Sequence, residues 1–298
     1  MRRDPHQLGE DRARWTLDSL RKACDWLRLR TAAGLSRLLR RLGIHYKRGR
    51  MHIHSPDPDY LAKLSDIRVC VQHSKADPEL VVVLFQDEFT YYRQPTLAQA
   101  YDISGHQQPL AEMSYRSNSA WRVVATLDIW TGQVVYTQRQ KIGLNQLVAF
   151  YRKVRAAYPL AQTIYVLQDN WPIHFHPDVL AALQPQDLKW PKHVASFWPT
   201  EPSGLTKPYN LPIQLLQLPT YASWTNPIEK LWRKLRQDVL HLHRLADDWT
   251  ALRQRVATFL GQFAQGSREL LQYVGLKDPE KLYHSAFPTT EGSLPLRC

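Results

Sequence analysis

The sequence predicts an α/β protein, a mixed sheet flanked by helices, carried behind a small all-helical N-terminal module. Three observations lead there. Short apolar, β-branched runs alternate with helix-spaced segments after residue 79, the pattern of a layered α/β domain. Before that point the chain is helical in spacing and strongly basic. Its 298 residues, 44% hydrophobic and 11% aromatic, suffice for about two domains with a real core.

Taken in order, Trp15 to Leu29 places apolar residues at Trp15, Leu20, Cys24, Leu27 and Leu29, and a second run follows at Leu35, Leu38, Leu39 and Leu42. Gly34 is expected to separate these helices and Gly43 to end the second. With Ile44 to Arg50 as a short strand or wing, residues 1–55 have the outline of a helix-turn-helix, winged-helix-like module. Ser55-Pro56-Asp57-Pro58-Asp59 then breaks periodicity. Residues 56–78 are read as a linker, with a connecting helix from Tyr60 to Val71.

A different texture starts at Leu80, where an apolar run to Phe85 predicts a strand buried on both faces with Asp87 at its end. Trp121–Ile129 and Gln133–Gln138 are two further strands joined by a Trp130-Thr131-Gly132 turn. Gly143–Tyr158 has helical spacing, and Thr163–Leu167 is another buried strand that runs into Gln168-Asp169-Asn170. Residues 185–219 hold seven of the 20 prolines, so no long helix forms there. Ile213–Leu218 within them is a further strand candidate. Asn226-Pro227-Ile228-Glu229 opens the clearest helix, with Asn226 as cap and Pro227 at the first helical position. Helical sequence also runs from Asp248 to Phe263 and from Ser267 to Tyr273, and 276–298 is read as a tail.

Charge narrows the partners. Lys and Arg number 39 against 27 acidic residues, a net +12 with pI near 9.7, which favours polyanions. Residues 12–50 alone carry twelve Lys and Arg against Asp18 and Asp25. The basic helical module is therefore expected to contact double-stranded DNA, with Arg37, Arg40 and Arg41 in a groove and Lys47, Arg48 and Arg50 on phosphates. Lys230, Arg233 and Lys234, on the helix that follows Glu229, hold DNA or form its solvated side. Trp190, Trp198 and Trp224 stack on bases or pack a core. The chain has no apolar stretch that would make a signal peptide or a membrane span, and three dispersed cysteines exclude a disulfide framework. A cytoplasmic protein without a membrane partner or a small-molecule substrate is expected.

Three carboxylates stand where chemistry is plausible: Asp87 and Asp169 at strand ends, and Glu229 in a first helical turn. Singly, each has a structural explanation as a turn or capping residue. Adjacent strands would bring the two aspartates together, and a packed helix would add Glu229; three such groups repel unless cations join them. Oxygen-only ligation suits Mg2+, with Mn2+ able to replace it. Two ions about 4 Å apart would activate a water or hydroxyl and stabilise the leaving oxygen of a phosphodiester. Glu88, turned to the opposite face by strand alternation, is assigned a supporting role together with Asn170, His174 and Asn226. Asp128 is read as a hairpin residue rather than a fourth acid. The pairs His174/His176 and His241/His243 lack a cysteine or third histidine at ligand spacing, so zinc is not expected.

The series Gln86-Asp87-Glu88, Gln168-Asp169-Asn170-Trp171-Pro172-Ile173-His174, and Leu218 to Trp232 with its Thr225-Asn226-Pro227-Ile228-Glu229 core resembles bacterial insertion-sequence transposases of the mariner-like DDE superfamily, the IS-six-thirty branch. The resemblance runs from about Trp15 onward. It implies an RNase H-like catalytic domain over 79–275 and a magnesium-dependent triad on Asp87, Asp169 and Glu229. It also implies a helix-turn-helix that reads transposon inverted repeats, and cut-and-paste insertion at TA-type targets by a DNA-bridged homodimer associated with the bacterial nucleoid. Asp169 and Glu229 lie 60 positions apart, wider than usual for mariner-like enzymes, so 185–219 is read as an insertion. About 85 residues precede Asp87, room for one helix-turn-helix unit where similar transposases often carry two. A truncated transposase acting as a DNA-binding repressor and an RNase H-like structure-specific nuclease are the alternative readings.

Overall fold

The computed structural model describes residues 14–46, 55–106, 108–183, 199–205 and 207–287, with Gln7 and Gly9. The chain divides into two units, Met1–Ile53 and His54–Cys298.

In the first unit, helix α1 (Leu17–Ala23) starts in a reciprocal cap: Thr16 Oγ1 accepts from the Ser19 amide, and Ser19 Oγ accepts from the Thr16 amide. A 3₁₀ turn, Asp25–Leu27, ends at Arg28, whose φ of 50° is left-handed. Helix α2 (Ala32–Arg41) then opens on Thr31, which accepts from the Gly34 amide at 3.1 Å. Gly34 thus lies inside α2, contrary to expectation, and the break between helices falls at Arg28. Gly43 does follow α2 with φ 71°, where a glycine is at ease. Ile44–Tyr46 form no strand. Lys47, Arg48 and Arg50 lie outside the described residues.

The second unit is a five-stranded sheet in the order β3-β2-β1-β4-β5. Strands β1 (Val81–Tyr92), β2 (Ala120–Asp128) and β3 (Val134–Arg139) pair antiparallel, whereas β4 (Thr163–Gln168) and β5 (Ile213–Gln217) run parallel to β1. The central strand is longer than its sequence suggested, continuing five residues past Asp87. The strand expected within residues 185–219 forms as β5, which completes the sheet at its β4 side. Residues 184–198, including Pro185, Trp190, Pro191 and Trp198, lie outside the described residues.

Alternation along β1 feeds two cores. Val83, Phe85, Phe89 and Tyr91 face a layer made of α3 (Tyr60–Ala76), α6 (Ile228–Leu235), α7 (Trp249–Gly261) and α8 (Arg268–Val274). Val82 and Leu84 face α4 (Leu144–Ala157) and α5 (Pro177–Leu183). Helix α3, expected to be a connector, buries Leu64, Ile67, Cys70 and Val71 in the first core. Likewise the expected tail packs Leu282, Tyr283, Ala286 and Phe287 against that core. No helix among the described residues is long and apolar enough to cross a membrane.

Asp128 is a hairpin residue, as its position suggested. Its Oδ1 accepts from the Trp130 and Thr131 amides at 2.7 and 3.0 Å, and burial pushes its carboxyl upward. The same turn docks on the start of α8, where the Ser267 amide donates to Thr131 O at 2.9 Å. Gly132, at φ 70°, leaves no room for a side chain: a Cβ there would stand 2.4 Å from Ser267 O. Gly132→Ala is therefore expected to destabilise the protein by at least about 2 kcal/mol, from left-handed strain plus the clash. A urea-unfolding midpoint unchanged from wild type would refute this docking.

Candidate active site

The site is assembled where β1 and β4 run side by side and α6 crosses them. Asp87 shares the face of Phe85 and Phe89, so it points at α6. There the indole Nε1 of Trp232 donates to Asp87 Oδ2 at 2.8 Å, with the Trp232 ring stacked on Phe89 at 5.3 Å. Glu229 sits three residues before Trp232, on the same side of the helix.

Helix α6 is fastened at both ends. Asn226 does not cap it with its side chain as expected; its Nδ2 instead donates to the Gln86 carbonyl of β1 at 3.1 Å. The capping-box reading of Glu229 fails too, which leaves its carboxylate for the site. At the far end the helix widens into a π-type turn, Arg236–Leu240. Thr96, just past β1, donates its amide to Leu240 O at 3.0 Å and accepts the Leu242 amide at 3.1 Å.

Asp169 follows the last residue of β4, its Oδ1 accepting the Trp171 amide at 2.9 Å. Asn170 braces the loop, donating to Leu218 O at 2.9 Å and contacting Thr220 Oγ1 at 3.3 Å. On the opposite face of β1, Glu88 Oε1 lies 3.4 Å from His174 Nε2, and the same nitrogen is 3.7 Å from Asp169 Oδ1. Glu88 thus faces away from Asp87, yet it meets Asp169 rather than standing apart. The sequence offered no sign of this, because the contact depends on how the loop after β4 folds back.

The four acids feel one another. Burial first, then the charges of Glu229 and Glu88, push Asp87 up to about 8, against the pull of the Trp232 N–H. Burial and Glu88 likewise raise Asp169, opposed by the Trp171 amide and His174. Burial raises Glu229, with Asp169 adding to the rise and Arg236 and Arg233 opposing it. A cluster of this kind is electrostatically costly unless positive charge joins it.

Residues 82–253 match the family described as DDE superfamily endonuclease. The chain belongs to this family. A Shigella sonnei relative, "Insertion element IS630 uncharacterized 39 kDa protein", is 21% identical to this DDE endonuclease over 256 residues, 85% of the chain and 66% of that protein. The chain therefore spans about two thirds of that curated relative's length. Among solved structures, the Mos1 mariner paired-end complex with Mn is similar with a TM-score of 0.60 at 16% identity, covering 94% of this chain and 75% of that one. The Mos1 strand transfer complex gives 0.59 at 15%, covering 98% and 80%. At those identities the likeness concerns the fold, and it bears out the RNase H-like sheet expected from the sequence.

The basic candidates separate. Arg37, Arg40 and Arg41 are exposed on one side of α2, opposite the buried Leu35. Lys230 instead donates to Val274 O at 2.6 Å, closing the end of α8, and Lys234 pairs with Asp238 at 2.8 Å. Arg233 is exposed. Trp224, half exposed, donates to the Tyr60 hydroxyl at 3.4 Å.

Because the folded protein holds the Asp87 proton more tightly than the unfolded chain, its contribution opposes folding as pH rises from about 4 to 8. In EDTA the melting temperature should fall across that window, and Asp87→Asn should raise it at pH 8 by at least about 3 °C. Equal melting temperatures for wild type and variant at pH 8 would count against the buried, crowded carboxylate.

Proposed function

We propose that this DDE endonuclease is a DNA transposase that cleaves the ends of its element and joins them to target DNA, in the cut-and-paste manner at TA-type sites. The observation that carries the reading is the convergence of three acids from distant parts of the chain where β1 pairs with β4, with Glu229 standing close enough to act on Asp87 and Asp169 close enough to act on Glu229. The Mn named in the Mos1 paired-end complex and the strand transfer named in the other Mos1 structure point the same way.

The donors present fit a divalent ion. All three are hard oxygen ligands held with raised proton affinities, which suits two Mg2+ ions, with Mn2+ a substitute. When bound, such ions supply charge neutralisation at the attacking and leaving oxygens of a phosphodiester. The chain does the rest. Trp232 keeps one Asp87 oxygen occupied and so turns the other toward the site. The Trp171 amide fixes the Asp169 rotamer, and the two-ended anchoring of α6 sets where Glu229 stands. Arg233 and Arg236 temper the negative charge and lie where a DNA backbone would approach.

In this reading the Arg37, Arg40 and Arg41 surface of the N-terminal unit grips the inverted repeat, and Lys47, Arg48 and Arg50 bind further phosphates. Two ends must be held together for strand transfer, so two chains pair on DNA.

Asp169→Asn, Asp87→Asn and Glu229→Gln should each lower Mg2+-dependent nicking of the DNA flanking the coding sequence by roughly three orders of magnitude, with gel-shift binding intact. Retained nicking in any of them sinks that residue's assignment, and equal cutting of branched DNA of unrelated sequence would favour a structure-specific nuclease. Replacing Arg37, Arg40 and Arg41 by alanine should weaken binding uniformly and reduce the log–log salt slope by about 0.9 for each phosphate that the variant no longer neutralises. An unchanged slope would place the DNA elsewhere.

A further inference from the structure

The surroundings of His174 exceed what a triad of carboxylates requires. Its ring is wholly buried, at 0% exposure, with Trp171 edge-on at 5.4 Å. Nε2 has Glu88 Oε1 at 3.4 Å and Asp169 Oδ1 at 3.7 Å, yet it makes no hydrogen bond. A buried ring nitrogen without a partner, aimed between two carboxylates, is costly unless something else occupies the space between them.

The other edge of the ring indicates what Nε2 offers. Nδ1 lies 3.5 Å from both the Tyr151 hydroxyl and the Gln86 side-chain nitrogen, and the hydroxyl donates its own proton to Gln168 Oε1 at 3.0 Å. Tyr151 can therefore accept from Nδ1–H, and in that tautomer Nε2 presents a lone pair to the acids. A ring nitrogen fixed through its second N–H is the arrangement that metal-ligating histidines use.

Geometry supports the same occupant. One donor atom from each of Glu88, Asp169 and His174 lies within 4.8 Å of the other two. An ion roughly 2.0–2.2 Å from each of three such donors would hold neighbouring donors roughly 3–3.5 Å apart, close to the two His174 distances. The third ligand that histidine spacing alone did not provide comes from Glu88, across β1.

We infer that Glu88, Asp169 and His174 form a second divalent-cation site, whose imidazole nitrogen favours first-row transition-metal ions over Mg2+, with Mn2+, the weakest binder of that series, as its paramagnetic probe. It shares Asp169 with the triad proposed above and otherwise stands on its own contacts. Three protein donors leave coordination positions open to water or a phosphate oxygen. The competing arrangement is a protonated His174 clamped between two carboxylates, with no metal on Nε2.

The test uses the full chain without DNA and Mn2+ alone, read by electron paramagnetic resonance with pulsed detection of nitrogen coupling. Wild type should show imidazole nitrogen on the bound ion, and excess Mg2+ should displace it poorly. His174→Gln should abolish the nitrogen signal. The near-isosteric Glu88→Gln should weaken Mn2+ at this site about tenfold or more, with circular dichroism confirming that both variants fold. Asp87→Asn, which removes none of the three ligands of this site, should lose nicking and keep the nitrogen signal, so failure of one reading is distinguishable from failure of the other. No bound Mn2+ at millimolar concentration, bound Mn2+ without nitrogen coupling in wild type, or coupling that survives in His174→Gln would each overturn the site.

Discussion

Four carboxylates, Asp87, Glu88, Asp169 and Glu229, are drawn into one region by the pairing of β1 with β4, and most of what surrounds them answers the cost of that crowding. Strand alternation sends Asp87 and Glu88 to opposite faces, which lessens their direct repulsion while leaving Asp87 beside Glu229 and Glu88 beside Asp169. The Trp232 indole offers one hydrogen bond to the most buried acid. Arg233 and Arg236 approach Glu229 from the helix flank. These concessions are partial, since all three triad candidates still hold their protons above the ordinary range. Positive charge brought to the cluster would lower that cost.

The layout also shows how two cores serve one site. The apolar residues of β1 divide between α3, α6, α7 and α8 on one face and α4 and α5 on the other. The polar residues follow the same division. Asp87 belongs to the α6 layer, and Gln86 and Glu88 belong to the α4 layer, where Tyr151, Gln168 and His174 form a buried polar cluster. Asp169, beyond the end of its strand, is exposed enough to take part in both.

Much of the fold was legible in the sequence because buried strands and amphipathic helices leave period and composition behind. The β-branched run at Val81, the hairpin turn at Gly132 and the apolar stripe of α6 each announced themselves. Asp87, Asp169 and Glu229 could be singled out as candidates because each borders a well-marked element. Other features depend on contacts that carry no local period. The left-handed Arg28 that ends the first helical stretch, the use of Asn226 as a tie to β1 instead of a cap, and the descent of α3 into the core are of this kind. So is the meeting of Glu88 with His174, which needs both the alternation of β1 and the backward fold of a loop some eighty residues later. Lys230 could be read from its position as a DNA contact or a solvated side chain, and tertiary packing sets its ammonium on the Val274 carbonyl at the end of α8.

Helix α6 is joined to the central strand on either side of Asp87, through Asn226 to Gln86 at one end and through Thr96 to Leu240 at the other. Strand and helix therefore close a ring of chain, much as a strut completes a truss. The height of Glu229 above Asp87 is a property of that frame as a whole, not of any single bond within it. A load applied where the strand gives way to the 95–119 connection would be carried along the helix to its opposite end, so the spacing of the two acids is mechanically tied to a segment far from either.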